Sequence, residues 1–314
     1  MVKAAAFSRI KYGTEVPRED YIQLCENAAY QAGKAGCDLF VLPEHFDTFG
    51  SLEMAVNDGG IYCEGTDRSD ICAACAEPVP GPMTHRFGCI AQDFSMYIAA
   101  NYYERDDGKT YNTCVLIDRK GNVAGKYRKS HLCGSEHRIN GVTAGDELPV
   151  FDCDFGKIGI IICLDMNYPE IARILTLKGA NILLWPHQTY GPTEEMVLLQ
   201  ARARAIDNAC YIVGADFASL PPFAPYCTGH EYMGRATIIN PDGVIIADTG
   251  HLPGLAIAAF EPEQHRITKD VVCIRKSGVD YFGEDILRTR RPELYGEITR
   301  RTELPKDEEV YDEL

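Results

Sequence analysis

Three short segments of this 314-residue chain contain side chains that could act together on a carbonyl carbon. Glu44 follows an apolar run, Lys129 lies in a basic segment, and Cys163 follows a second apolar run. A thiol is a nucleophile, a carboxylate can take its proton, and an ammonium can stabilise the negative charge that forms on the carbonyl oxygen. These residue types predict covalent acyl chemistry if the fold brings them together.

The residues around Cys163 predict a strand, a sharp turn and a helix. The apolar run 159–162 precedes Cys163, and Pro169 and Glu170 follow it. Proline at the first helical position and an acid in the first turn are typical of helix starts. Such a turn exposes a nucleophile, and its backbone N–H groups can bind an oxyanion. The alternative is that Cys163 is one more buried cysteine among the thirteen of the chain.

The other two candidates have ordinary interpretations when each is taken alone. Glu44 ends the predicted strand 38–42, where a rigid scaffold can hold a catalytic group, but it could also cap a helix or pair with a surface cation. Lys129 lies in 125–132, which by itself is typical of a solvated basic turn. Chemistry is favoured only by the combination with Cys163.

This combination resembles the nitrilase, or carbon–nitrogen hydrolase, superfamily. Three motifs occur in the family's order: Leu42-Pro43-Glu44, Tyr127-Arg128-Lys129-x-His131, and Cys163-x-Asp165-x-x-x-Pro169-Glu170-x-Ala172-Arg173. Weaker matches extend the resemblance over nearly the whole chain and lie at Trp185-Pro186, 202–208, 234–243 and 290–295. Two positions depart from the family pattern. Cys133 replaces a common proline, which leaves the path of loop 133–140 open, and Ser8 stands where a glutamine is common.

The resemblance implies an α-β-β-α sandwich of two mixed β-sheets flanked by helices, and a Glu–Lys–Cys triad that needs no metal or organic cofactor. Glu44 would be the general base, Lys129 the oxyanion stabiliser and Cys163 the nucleophile. The backbone N–H of Leu164 would share the oxyanion with Lys129. Many members carry a further glutamate after the lysine. Glu136 occupies that stretch and would orient Lys129 or the leaving amine.

The motif residues after the nucleophile bear on the substrate. True nitrilases usually have Trp-Glu-Asn there, whereas this chain has Leu164-Asp165-Met166, with Asp165 as a supporting residue. This favours an amidase or an N-carbamoyl amidohydrolase, with nitrile hydrolysis as the alternative. Some carbamoyl amino acid hydrolases carry arginines where this chain has Met166 and Asn167. A carboxylate-bearing substrate would then need Arg138 or Arg235, so we expect an uncharged or amine-bearing small molecule.

Apolar periodicity predicts the elements that position these residues. Strands are predicted over 2–7, 38–42, 96–100, 113–118, 158–163, 181–184, 211–214, 236–239, 244–247 and 256–260. Helices are predicted over 18–35, 70–76, 83–94, 169–178, 193–208 and 292–301. Alternating strands and helices favour a layered α/β fold, and a hairpin turn at 240–243 indicates mixed sheets. We expect a single domain over 1–304 and an acidic tail over 305–314.

Composition limits the partners. The net charge of −15, from 31 basic and 46 acidic residues, argues against nucleic acid and against an anionic membrane surface. No apolar run approaches the ~18 residues that span a bilayer, and the N-terminus is too short in its apolar part for a secretory signal, so we expect the cytoplasm. The odd number of cysteines argues against a disulfide framework. The resemblance implies a homodimer or higher homo-oligomer that packs through 169–178 and 193–208.

Three rival functions stay open at this stage. A zinc site could use Cys72 and Cys75, with Cys63, His85 and Cys89 nearby, although a second Cys-x-x-Cys is missing. A catalytically silent binding protein could share the fold, because a fold does not fix a function. Acyl transfer is a third possibility, but the membrane-attached transferases of the superfamily have spanning segments, and no such apolar segment occurs in this sequence. Glutaminase modules of larger synthetases share the triad, but the sequence contains no ATP-binding Gly-x-x-x-x-Gly-Lys loop of a synthetase.

Overall fold

The computed structural model describes residues 1–10, 17–47, 69–133, 136, 140–189, 193–218, 234–262, 287 and 290–300. The chain divides into two compact units, Met1–His265 and Arg266–Leu314. In the second unit, two 3₁₀ helices, Pro292–Leu294 and Gly296–Thr299, replace the single helix predicted over 292–301. The acidic tail predicted over 305–314 lies outside the described residues.

The described part of the first unit alternates strands with helices, as the sequence predicts. The strands are β1 (Val2–Ile10), β2 (Leu39–Val41), β3 (Tyr97–Asp106), β4 (Lys109–Ile117), β5 (Val123–Arg128), β6 (Val150–Cys153), β7 (Gly156–Ile160), β8 (Ile182–Pro186), β9 (Tyr211–Ala218), β10 (Thr237–Ile239), β11 (Ile245–Asp248) and β12 (Gly254–Phe260). The α-helices are α1 (Arg18–Lys34), α2 (Ser69–Cys75), α3 (Pro82–Phe94), α4 (Pro169–Leu177) and α5 (Glu194–Asn208). In the described ranges, no helix combines the length and the hydropathy needed to cross a bilayer.

The strands form one large mixed sheet. Its hydrogen-bonded order is β5-β4-β3-β2-β1-β9-β8-β7-β6, with β12 added beside β1 and the β10–β11 hairpin beside β9. The pairs β1–β2, β2–β3, β7–β8, β8–β9 and β1–β9 are parallel, while β3–β4, β4–β5 and β6–β7 are antiparallel. The prediction of a mixed α/β fold is therefore confirmed. Strand β1 joins the two halves of the sheet, because Ser8 pairs with Asp216.

Alternation along the strands divides the core into separate clusters. In β1, Ala4 and Ala6 belong to a cluster that also contains Ile158 and Ile160 of β7. The intervening residues of β1, among them Phe7, pack in a second cluster with apolar residues of α1 and α3. A third cluster combines apolar residues of α4 and α5 with the neighbouring strands. Each long helix thus buries one face against the sheet.

Two strands were not predicted, and one of them matters for the site. Strand β5 contains the first half of the basic segment for which the solvated-turn interpretation was favoured. Its charges are tolerated because Lys126 and Arg128 both form ion pairs with the buried Glu104. Glu104 lies on β3, two strands away in the sheet, and neutralisation by a carboxylate so distant in the sequence cannot be predicted from local charge patterning. The solvated-turn interpretation of Lys129 is wrong, because Lys129 is only 1% exposed.

Candidate active site

The first candidate, Glu44, lies three residues beyond the end of β2. The extended chain continues past the strand, since the Leu42 N–H donates to the Ala99 carbonyl over 3.0 Å. Pro43 then directs the chain away from the sheet. The Glu44 side chain is buried rather than solvated, which rules out a surface ion pair.

Lys129 follows β5 directly and is fixed on both sides of its backbone. Its N–H donates to the Asn112 carbonyl, and its carbonyl accepts the Gly145 N–H, each over 2.8 Å. The Nζ atom lies 2.9 Å from Glu44 Oε1 and 2.7 Å from Glu136 Oε2. Burial opposes the charge of Lys129, but the carboxylates of Glu44 and Glu136 raise its pKa well above the ordinary value. The side chain is therefore an ammonium held between two carboxylates.

Glu136 is held as firmly as Lys129. The Cys133 N–H donates to Glu136 Oε2 over 2.9 Å, and His45 Nε2 lies 3.9 Å from Glu136 Oε1. Although burial alone would raise it, the pKa of Glu136 is lowered because Lys129 and His45 stabilise the charged form. Glu136 thus forms an ion pair with Lys129, as expected from the resemblance. Most of the loop around Glu136, including Arg138, lies outside the described residues.

Two asparagines that were not predicted from the sequence support the carboxylates. Asn112 Nδ2 donates to Glu44 Oε1 over 2.8 Å and to Glu136 Oε1 over 2.6 Å. Asn101 Nδ2 donates to Asn112 Oδ1 over 2.9 Å, and Asn101 Oδ1 accepts the His45 N–H over 2.7 Å. All of these groups are buried. The network fixes the distance between the two carboxylates and turns both of them toward Lys129.

Cys163 begins a 3₁₀ helix, Cys163–Asn167, with a left-handed φ of +45°. The strand ends at Ile160 rather than at Cys163, and the next residue still donates its N–H to the Leu184 carbonyl over 2.9 Å. The predicted strand, turn and helix are present, with α4 beginning at Pro169. Leu164 stands in the first turn of the 3₁₀ helix, where backbone N–H groups lack intrahelical acceptors.

Cys163 as a residue is only partly buried, unlike the buried Cys25 or Cys114, which argues against the alternative of one more core cysteine. Burial and the Glu44 carboxylate raise the pKa of this thiol well above its ordinary value, against the opposing effect of Lys129. Cys163 therefore lies within electrostatic reach of both other candidates, and the fold brings the three together. With a raised pKa, Cys163 rests as a neutral thiol and needs a base to become a nucleophile.

Asp165 connects the Cys163 turn to the Lys129 segment. Its fully buried carboxylate accepts the Ile162 N–H over 2.9 Å and the Tyr127 hydroxyl over 2.7 Å. It also accepts the His131 N–H over 3.1 Å. Because these donors lie on both sides of the site, Asp165 sets the position of Cys163 relative to Lys129.

The structure also describes one candidate for binding a substrate carboxylate and one position that departs from the family pattern. Arg235 is not available for a substrate carboxylate, because its guanidinium pairs with Glu194 over 2.7 Å and also with Asp248. Ser8 Oγ donates to the Gly234 carbonyl over 2.8 Å, so it has a structural partner.

Three side chains place possible metal-ligand atoms close enough together to bind one metal ion. Within the described ranges, ligand atoms of Glu44, His45 and Glu136 all lie within 4.8 Å of one another, and no comparable group includes Cys72 or Cys75. Lys129 Nζ already stands within 2.9 Å of both carboxylates, so a positive charge is supplied by the chain itself. The arrangement therefore fits an ammonium better than a divalent cation, and Cys63 of the zinc alternative lies outside the described residues.

Known proteins with similar sequences include hydrolases and amidases. The chain is 32% identical over 285 residues to "Hydrolase in pqqF 5'region" of Pseudomonas protegens, covering 89% of this chain and 86% of that protein. It is 34% identical over 262 residues to the deaminated glutathione amidase of Synechocystis, covering 77% and 86%.

A solved structure has the same fold. It is a mutant amidase from Nesterenkonia sp. AN1 with acrylamide added to its active-site cysteine, and it superimposes with a TM-score of 0.71 at 21% identity, covering 94% of this chain and 98% of its own. The family model described as carbon-nitrogen hydrolase matches residues 6–270. That match spans the three segments with Glu44, Lys129 and Cys163, and the chain belongs to the carbon–nitrogen hydrolase family, in the nitrilase superfamily.

Proposed function

We propose that this protein is an amidase that hydrolyses a non-peptide carbon–nitrogen bond of a small molecule through a thioester on Cys163. The observation that carries the proposal is the Lys129 ammonium between Glu44 and Glu136, within electrostatic reach of the Cys163 thiol. A structural core would not need three buried charges beside a thiol, because burying charges is costly.

The reaction begins with Glu44 accepting the Cys163 proton while sulfur attacks the amide carbon. The carbonyl oxygen becomes an oxyanion, which receives hydrogen bonds from Lys129 and from the Leu164 N–H; one such donor is typically worth about 3 kcal/mol. The tetrahedral intermediate collapses, the carbon–nitrogen bond breaks, and ammonia or an amine leaves with the proton from Glu44. A thioester remains on the sulfur.

Water then completes the cycle. Glu44, ionised again, takes a proton from a water molecule that attacks the thioester carbon. The second tetrahedral intermediate releases the acid and the Cys163 sulfur, which recovers its proton. In this scheme Glu136 keeps the Lys129 ammonium oriented, as its 2.7 Å contact supports.

The substrate proposal is an uncharged or amine-bearing amide or N-carbamoyl compound. The described part of the chain supports it, because Arg235, the one described candidate for holding a carboxylate, is engaged by two acids. The name of the Synechocystis relative, deaminated glutathione amidase, supports an amide over a nitrile. Nitrile hydrolysis by the same triad is the alternative.

An ammonia-release screen over amides, carbamoyl amines, carbamoyl amino acids and nitriles tests both proposals. We expect release from at least one amide or carbamoyl compound, and none by Cys163→Ala. Release from nitriles alone would overturn the substrate proposal. If the folded protein released ammonia from no compound of any class, a silent binding protein would replace the amidase.

The architecture and assembly belong to the same proposal. We propose that the two halves of the sheet pack face to face as the α-β-β-α sandwich of a single domain over 1–304. Support comes from the cluster shared by β1 and β7 and from the helices packed on the opposite faces. A cytoplasmic location belongs to the same proposal, because thirteen cysteines, an odd number, suit a reducing compartment.

We further propose a homodimer or larger assembly through α4 and α5. These helices leave large apolar side chains exposed, at Ile174, Leu177, Met196, Leu199 and Ile206. Exposed apolar patches of this kind commonly mark protein interfaces. Light scattering should give at least twice the 34.8 kDa chain mass, and Leu199→Glu should shift it toward that mass. A wild-type monomer at micromolar concentration would remove this proposal.

A further inference from the structure

The resting thiol of Cys163 is held by the segment that follows β8. Its Sγ donates to the Gln188 carbonyl over 3.8 Å, and its own carbonyl accepts the Trp185 Nε1–H over 3.3 Å. The side chain and the backbone of the nucleophile therefore both depend on where residues 185–188 lie. Pairing with β9 fixes Trp185 and Pro186, but Gln188 lies beyond the end of the strand.

The residues on either side of Gln188 are anchored to one side chain. The Thr189 N–H donates to Asp216 Oδ1 over 3.1 Å, and His187 Nδ1 lies 3.5 Å from the same oxygen. His187 Nδ1 also hydrogen-bonds Thr189 Oγ1 over 2.8 Å. His187 and Asp216 are both completely buried. The residues before and after Gln188 are therefore both held by Asp216, which fixes the position of the Gln188 carbonyl.

The same cluster reaches Trp185. The rings of Trp185 and His187 stack with centroids 3.5 Å apart and an interplanar angle of 13°. Gly214 makes room for the stack, because a Cβ there would lie 2.8 Å from the Trp185 ring. A rigid pair of rings therefore connects Asp216 to the donor that holds the Cys163 carbonyl.

We propose that Asp216 is a positioning residue, which acts through Thr189 and His187 to fix the Gln188 carbonyl and Trp185 and so aligns the Cys163 thiol with Glu44. This role rests on the proposed function, since it concerns the same nucleophile. Asp216 also accepts the backbone N–H groups of Phe217 and Gly234, so it links three separate stretches of chain at this point.

Asp216 acts by accepting hydrogen bonds and not by its charge. Burial, together with the neighbouring Glu44 carboxylate, raises the pKa of Asp216 well above its ordinary value, despite the backbone donors. Burial likewise lowers the pKa of His187, which is a neutral ring. An asparagine offers the same acceptor oxygen without a charge, so Asp216→Asn should retain most of the function that Asp216→Ala loses.

The test compares Asp216→Ala, Asp216→Asn and Thr189→Val, with Thr176→Val as the matched control. Thr176 is a buried threonine of α4 whose hydroxyl bonds the Ala172 carbonyl, away from the cluster. Steady-state kinetics is measured on the substrate from the ammonia screen. In parallel, iodoacetamide labelling of the Cys163 peptide is followed by mass spectrometry without substrate.

We expect Asp216→Ala to lower kcat by about 10- to 100-fold with little change in KM, because a small misplacement of a reacting group costs up to about 100-fold. Labelling of Cys163 should slow at least about threefold. Asp216→Asn should restore both to within about threefold of wild type, and Thr189→Val should fall between them. Thr176→Val should change neither.

A fall in Tm for Asp216→Ala with unchanged kcat and labelling would show a merely structural role and overturn the proposal. If Asp216→Asn lowered kcat and the labelling rate as much as Asp216→Ala, the hydrogen-bonding role would be overturned. If Asp216→Ala does not fold, Thr189→Val decides, and wild-type behaviour of that variant rejects the proposal. If the wild type turned over no amide, the proposed function would be rejected. The role of Asp216 would still be tested, because the labelling comparison needs no substrate.

Discussion

Lys129 Nζ stands 2.9 Å from Glu44 Oε1, and both side chains are buried. The two residues are 85 positions apart in the chain, and each explains why the other can remain charged. In the proposed reaction, the ammonium stabilises the base that takes the thiol proton, and it also donates a hydrogen bond to the oxyanion. One ion pair therefore serves two steps of the proposed reaction.

Replacement of the lysine tests this double role. We expect Lys129→Met to lower kcat/KM by several orders of magnitude, because it removes an oxyanion donor worth about 3 kcal/mol and the partner of the base. It should also lower Tm at pH 7, since breaking a buried ion pair costs roughly 3–5 kcal/mol. Kinetics and thermal unfolding measure both effects. Near wild-type turnover would show that Lys129 is structural only.

Removal of the sulfur should stop the reaction without loss of the fold. Cys163→Ala deletes one atom from a residue that is only partly buried, so we expect Tm to shift by only a few degrees. Ammonia release should fall below detection. Cys89→Ala, at an exposed cysteine of α3, is the matched control and should behave as wild type. Residual turnover by Cys163→Ala would end the thioester mechanism.

Asn112 offers a test of the supporting network. Asn112→Ala removes the N–H donors shared by Glu44 and Glu136, and it leaves Asn101 Oδ1 in place for the His45 N–H. We expect kcat to fall roughly 10- to 100-fold, by analogy with the loss of groups that orient a reacting residue. Asn181→Ala, another largely buried asparagine, bonds the Lys157 N–H and serves as the control. Equal kinetics for the two variants would contradict the role of Asn112.

The raised pKa of Cys163 predicts how its alkylation depends on pH. The thiolate is the species that reacts, so labelling of Cys163 by iodoacetamide should keep rising with pH above the point where a free thiol, with a pKa of about 8.5, levels off. Since Glu44 contributes to the raised pKa, the inflection should move to lower pH in Glu44→Gln. Glutathione in the same tube is the reference. An inflection at or below that of glutathione would refute the prediction.

The three candidate residues could be singled out from the sequence because together they match three motifs in the order of the nitrilase superfamily, although each motif alone had an ordinary interpretation. The remainder of the site lacks such patterns. Asn101 and Asn112 lie inside β3 and β4, where asparagine has no local signature, and only strand pairing brings Asn101 opposite Cys114 and Asn112 opposite Tyr103. The helices of the first unit were predicted to within two residues because apolar periodicity is a local signal, whereas β3 extends to Asp106, six residues beyond its predicted end.

The errors have physical causes. Strand β5 was missed because its charges look solvated until Glu104, on another strand, neutralises them. The chain near 292–301 has a proline start and good helix formers but no buried residue in the described part, so it forms only single 3₁₀ turns. The role of Asp165 depends on donors from residues 127–131, which sequence spacing alone does not place beside it.

The left-handed backbone of Cys163 has a consequence for how this position can change over time. A side chain at a φ of +45° costs roughly 1–2 kcal/mol, and glycine would avoid that cost. Any descendant that no longer hydrolysed its substrate would gain stability from a single replacement here. Persistence of a cysteine at so unfavourable a backbone angle is thus a mark of continuing selection for turnover, one that can be looked for in any relative whose activity is in doubt.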